Sequence, residues 1–150
     1  MATTYYATNY QDQNQVSSDG GSFDQEFSYS MSAAFIINDL IYLCKIPVGC
    51  ILLEWNLNVP ALDSSTGSTI QIGDGTTADA FMTSTAAGQS GAGSRFYSLL
   101  SGVLGYIPKS YTAVSNIVAK VNTAPSGTAT TTGTWKGWAR FKMIGVTPTV

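Results

Sequence analysis

Residues 39–59, DLIYLCKIPVGCILLEWNLNV, decide the fold. The first eight are apolar except for Asp39 and Lys45, and the run stops at Pro47-Val48-Gly49. Proline fixes its φ and has no N–H to give a ladder, and glycine accepts turn geometry, so the break is a turn. Beyond it Ile51, Leu53, Trp55, Leu57 and Val59 share one face, and Glu54, Asn56 and Asn58 share the other. A period of two is that of a strand with one buried side, because successive side chains of an extended chain point in opposite directions. The apolar zone over residues 33–55 is broken by Asn38, Asp39, Lys45 and Pro47, which does not suit a membrane-spanning helix.

The same pattern recurs in both directions from this stretch. Residues 68–72 read as a strand with Ile70 and Ile72 inward, and 80–83 as a short one. Over 115–121, Ile117, Ala119 and Val121 share a face. After a Thr-rich loop over 123–132, Trp135, Gly137, Ala139, Phe141 and Met143 oppose Lys136, Trp138, Arg140 and Lys142. Towards the N-terminus, FDQEFSYSM from Phe23 alternates aromatic and polar residues and predicts a strand at a sheet edge. Residues 95–104, RFYSLLSGVL, fit a short helix or an irregular connection, and Pro108 excludes a central strand over 106–111. About eight strands separated by Gly, Pro, Ser and Thr loops, with no long amphipathic helix and no internal repeat, predict a jelly-roll-like antiparallel β-sandwich. Residues 1–25 lack periodicity and are rich in Tyr, Gln, Asn, Ser and Asp, so an extended N-terminal arm is expected there. The β domain follows over 26–146, with a short tail over 147–150.

A chain of 150 residues makes one domain that needs neither metal nor disulfide to fold. It has no histidine, which excludes a Ser-His-Asp triad, a Cys-His pair and a His-ligated zinc. The formal charge of −2 argues against a nucleic-acid partner. Its distribution is polarised: Asp12, Asp19, Asp24, Glu26 and Asp39 precede Lys45, the first basic residue, whereas Arg95, Lys109, Lys120, Lys136, Arg140 and Lys142 follow Asp79, the last acidic one. Either the two halves intermix, or an acidic arm lies against basic strands of its own or a neighbouring subunit. Cys44 and Cys50 sit in apolar runs and read as buried thiols, with a disulfide open on spacing alone. The N-terminus lacks the basic start and apolar core of a secretory leader.

IQIGDGTTADAFM, residues 70–82, is the one stretch that resembles a ligand loop. Calcium needs several converging oxygens, and Asp74 and Asp79 are the only carboxylates there. A phosphate loop needs a following helix and usually a lysine, and both are missing. The remaining reading is a turn, with Gly73 and Gly75 supplying geometry and Asp74 bonding its own backbone. Asp74, Asp79 and Glu54 are candidates for a catalytic acid pair by residue type only. Of the three tryptophans, Trp55 and Trp135 fall on inward faces, and Trp138 points outward between Lys136 and Arg140. An exposed indole flanked by cations is a contact residue for another protein surface.

Taken in order, DLIYLCKIPVGCILLEWNLNV, STIQIGDGTTADAFM, NIVAKVNTA and GTWKGWARFKMIG resemble small jelly-roll head-decoration (cement) proteins of tailed bacteriophages. TTYYATNY and the polar stretch after it resemble the arm of such proteins. The resemblance implies a non-enzymatic oligomer, commonly a trimer, seated on the outer surface of the virion's icosahedral head where major capsid proteins meet. It also implies synthesis in the bacterial host cytoplasm, and no cofactor, metal, nucleic acid or membrane. The expected contacts to capsid or subunit are Tyr5, Tyr6 and Tyr10 of the arm and Lys136, Trp138 and Arg140 of the last strand. The rival expectation is a carbohydrate- or receptor-binding jelly-roll module of a phage tail or surface appendage.

Overall fold

The computed structural model describes residues 1–10, 21–99 and 110–144. These residues form nine strands and no helix: β1 (Thr4–Tyr6), β2 (Ser22–Met31), β3 (Leu40–Ile46), β4 (Cys50–Val59), β5 (Thr69–Gly73), β6 (Met82–Ala86), β7 (Ser94–Leu99), β8 (Ser115–Thr123) and β9 (Gly133–Met143). A five-stranded sheet has the order β1-β3-β8-β5-β6, and a four-stranded sheet the order β2-β9-β4-β7. The pairings β2–β9, β3–β8, β4–β7 and β5–β6 are nested antiparallel pairs, as if one long hairpin had been rolled up. Rolling adds β4–β9 and β5–β8 and divides the strands between two layers. This is the jelly-roll solution, and it buries two apolar faces against each other.

The core between the layers holds Trp55, Trp135, Phe141, Ile41, Leu43, Leu52, Leu57, Ile70, Ile72 and Ile117, all nearly or wholly inaccessible. Both inward tryptophans are where alternation places them. Cys44 and Cys50 are buried free thiols, and burial pushes the Cys44 pKa well up.

Three local expectations need correction. In β4 the alternation breaks at a bulge between Leu52 and Glu54: Cys50 and Leu52 are buried, whereas Ile51 and Leu53 are only half-buried. An extra residue on one strand of a pair reverses which side chains face the core, so the inward face runs Cys50, Leu52, then Trp55, Leu57 and Val59. Residues 94–99 form neither a helix nor an irregular connection but the edge strand β7, paired with β4; residues 100–109 lie outside the described set. The short strand expected over 80–83 is β6, displaced to Met82–Ala86.

The N-terminal segment is bound to the domain. β1 pairs with β3 in parallel, an arrangement that needs the long crossover through β2. Tyr5 points inward against Tyr29 and Phe35, and Tyr6 points outward onto Tyr42. The Ala7 N–H then donates to the Tyr42 carbonyl in one sheet and the Thr8 N–H to the Ser28 carbonyl in the other. The arm thus stitches the open side of the sandwich.

At each end of the sandwich a buried aspartate organises the loops. Asp74 accepts the N–H groups of Thr76 and Thr77 at 3.0 and 2.8 Å and closes the β5–β6 hairpin. A Cβ at Gly73 would fall 1.9 Å from the Thr77 carbonyl oxygen, and Gly75 has φ +82°, so both glycines are required by that turn. At the opposite end Asp63 accepts from the backbone of Ser65, Ser126 and Gly127 at 2.8–2.9 Å, joining the loops before β5 and β9.

Candidate functional site

Two surfaces carry the residues singled out by the sequence, and they lie on the outer faces of opposite sheets. On the four-stranded sheet, register sets outward side chains into rows across the strands. Asp24, Arg140 and Glu54 form one row; Glu26, Trp138, Asn56 and Tyr97 the next; Ser28, Lys136, Asn58 and Arg95 the third. Each row takes one residue from β2, β9, β4 and, for the last two, β7.

The first row is an ionic clamp. Arg140 donates from Nε and Nη2 to both oxygens of Asp24, at 2.7 and 2.9 Å, and from Nη1 to Glu54. The Tyr97 hydroxyl donates to the other Glu54 oxygen at 2.7 Å. These bonds hold the Asp24 carboxyl below its ordinary pKa, push Arg140 up through its bond to Asp24, and push Tyr97 up through its bond to Glu54. The Asp24–Arg140 half is exposed and contributes little to stability. Glu54 is only 7 % exposed, so it depends on Arg140 for its neutralisation. Here the polarised charge of the sequence finds an explanation: an acidic residue near the N-terminus meets a basic one of the last strand within one chain.

Trp138, in the second row, is half-buried. The Arg140 guanidinium lies 5.5 Å from its ring centroid, and Tyr97 meets it edge-on at 6.4 Å. Between Trp138 and Lys136 opens a cleft of about 480 Å³, whose rim includes Asn9, Glu26, Ser28 and Asn58. The Asn9 amide donates to the Glu26 carbonyl at 2.9 Å, and the Asn58 amide to Asn56 Oδ1 at 3.2 Å.

The second surface is the arm against the five-stranded sheet. Tyr6, 55 % exposed, stacks on Tyr42 at 5.2 Å and contacts Tyr10 at 5.1 Å. Tyr10 is buried; its hydroxyl donates to Asn116 Oδ1 at 2.6 Å, and Lys45 Nζ sits 5.4 Å from its ring. Burial, with Tyr42, raises the Tyr10 pKa. Tyr6 is therefore the arm tyrosine presented to solvent, while Tyr5 and Tyr10 anchor it.

The three carboxylates considered as acid catalysts do not converge. Glu54 is in the ionic clamp of the four-stranded sheet, Asp74 is consumed by its own turn at the end of β5, and Asp79 is exposed. No group of three His, Cys, Asp or Glu side chains placed to hold a metal occurs among the described residues. Sequence reasoning missed Tyr97, Asn58, Glu26 and Asn9 as neighbours of Trp138. The alternation of β4 and β9 placed Asn58 and Trp138 outward, but only cross-strand register brings four strands into one row.

Nested strand pairing in two layers defines the chain as a jelly-roll β-sandwich. No protein-family model matches the sequence, and no curated protein matches it. By structure it is similar to a chain in the capsid of Ralstonia phage GP4, with a TM-score of 0.68 and 16 % identity, covering 95 % of this chain and 99 % of that one. It is also similar to a chain of the Cyanophage Pam1 capsid asymmetric unit, with a TM-score of 0.62 and 16 % identity, covering 87 % and 94 %. At that identity the likeness is one of fold.

Proposed function

We propose that this chain is a non-enzymatic decoration, or cement, protein of a bacteriophage head, bound to the outer surface of the shell at junctions between major capsid proteins. The observation that carries the reading is the near-complete mutual coverage with a chain of a phage capsid structure, 95 % of one and 99 % of the other. The fold of this chain accounts for nearly all of that one, and a domain of 150 residues is small for the main shell of a tailed phage.

The mechanism is binding energy alone. A shell holding packed DNA fails where its subunits meet, and a protein that binds the closed shell better than the separated subunits stabilises the closed state by mass action. A homotrimer would engage several capsid subunits at once, which multiplies the effect. The shell-facing element in this reading is the arm surface. Tyr6 offers an exposed ring already backed by Tyr42 and Tyr10, so little freedom is lost on contact.

Quantitative mass spectrometry of purified virions tests the reading. One copy per capsid subunit, or per few, is the expected result. A handful of copies per particle would assign the chain to a tail or vertex, and absence from the particle would remove the reading. On undecorated heads, Tyr6→Ala is expected to weaken binding at least tenfold while the melting temperature changes little.

A further inference from the structure

We propose that the cleft on the outer face of the four-stranded sheet is a saccharide-binding site for a neutral hexopyranose unit, with Trp138 as its stacking wall. The indole is held rather than free: Arg140 lies 5.5 Å from its centroid and Tyr97 braces it edge-on. Arg140 does not line the cleft, whereas Lys136, two residues earlier on the same face, does. The side of the ring away from the guanidinium therefore faces the cleft.

A pyranose presents a patch of C–H groups on one face of its ring and hydroxyls around its edge, each both donor and acceptor. The cleft supplies the complement. Trp138 offers apolar area with a defined orientation. Around it stand the Glu26 carboxylate, the Lys136 ammonium, the Ser28 hydroxyl and the side-chain carbonyls of Asn9 and Asn58. The Glu26 and Lys136 head groups and those two carbonyls have no hydrogen-bond partner among the described residues. Asn9 and Asn58 are oriented by the bonds their amides donate, so capture of a hydroxyl costs little side-chain entropy.

Other ligand classes fit less well. Glu26 and Lys136 cancel, so the cleft selects neither polyanion nor polycation. A peptide adding as a strand needs a free sheet edge; the edge beside the cleft is β2, and the arm already bonds it there, through the Thr8 N–H to the Ser28 carbonyl and the Asn9 amide to the Glu26 carbonyl. The volume, about 480 Å³, falls within the range of about 300–1,000 Å³ usual for small-molecule sites. The site does not compete with the proposed shell contact, because Tyr6 lies on the outer face of the other sheet.

The test is binding of the full chain to an array of neutral and acidic oligosaccharides. A titration follows with the strongest neutral hexose oligomer, read by fluorescence of Trp138, the only tryptophan of the three that is not buried. Saturable binding to a neutral oligomer is expected, reduced at least tenfold by Trp138→Ala and by Asn58→Ala. Asn58 is exposed, so its variant carries the test if Trp138→Ala fails to fold. A blank array, a preference for acidic sugars alone, or binding that survives both substitutions would overturn the proposal. Loss of head binding by Trp138→Ala together with a blank array would make this strip a protein contact instead.

Discussion

At the residue scale the side chains that decide most are those that bond to backbone. Asp63 is wholly inaccessible, and burial alone would raise its pKa; the N–H groups of Ser126, Ser65 and Gly127 outweigh that and hold it at about 2. The folded value is below the unfolded value of about 3.9. Its contribution to stability is therefore complete above about pH 4 and lost as the pH falls towards 2. Asp63→Asn should lower the melting temperature at neutral pH, and its difference from wild type should shrink between about pH 4 and pH 2. A constant difference across that interval would show that the charge is not what holds the loops. Gly137 is a second case: a Cβ there would meet the Asn56 carbonyl oxygen at 2.1 Å and the Phe27 ring at 2.6 Å. Gly137→Ala should cost about 1–3 kcal/mol in denaturant unfolding. The Asp74 turn was legible because its glycines and aspartate are adjacent in sequence. Asp63 was not, because two of the three residues whose backbone it binds are more than sixty positions away.

At the element scale, strand identity was legible wherever a strand has one wet and one dry side. Residues 50–59 and 133–143 advertise themselves by alternation, and the two inward tryptophans followed from it. Alternation cannot reveal a bulge, because the extra residue is set by the partner strand rather than by its own neighbours. The structure therefore makes a prediction that the plain pattern reverses. Leu52→Ala should cost about 2–5 kcal/mol as a core truncation, and Leu53→Ala about 1 kcal/mol or less. Equal costs, measured by urea unfolding, would place the bulge elsewhere. β7 stayed ambiguous because its stretch, SRFYSL, has a single inward aromatic, Phe96, to mark a face, and its register comes from β4.

At the scale of the whole molecule, the docking of the arm is what the sequence could not show, because its partners Tyr29, Phe35 and Tyr42 lie far along the chain. Composition marked an extended arm without saying what it would rest on; in the structure Ala7 and Tyr10 are buried and β1 covers the edge of β3. Removing residues 2–10 should leave a folded domain with a lower melting temperature and a tendency to self-associate through the uncovered edge, read by size-exclusion chromatography. A monomer with unchanged melting would mean that the stitching contributes nothing. Both thiols should resist alkylation in the native state and react only on unfolding, because neither is accessible. The nested pairing also has a consequence in time. β9 lies in the middle of its sheet, between β2 and β4, although it is the last of the described strands in chain order. Until it emerges β2 has no partner in its sheet among the described strands, of which only β5–β6 is a pair closed by a short connection. Folding therefore waits for translation of β9 and then proceeds through long-range pairings, which makes it slow for a chain of this length. If the chain acts as proposed, a nascent chain has no finished surface to offer a shell, and the supply of binding-competent protein is set by folding rather than by elongation.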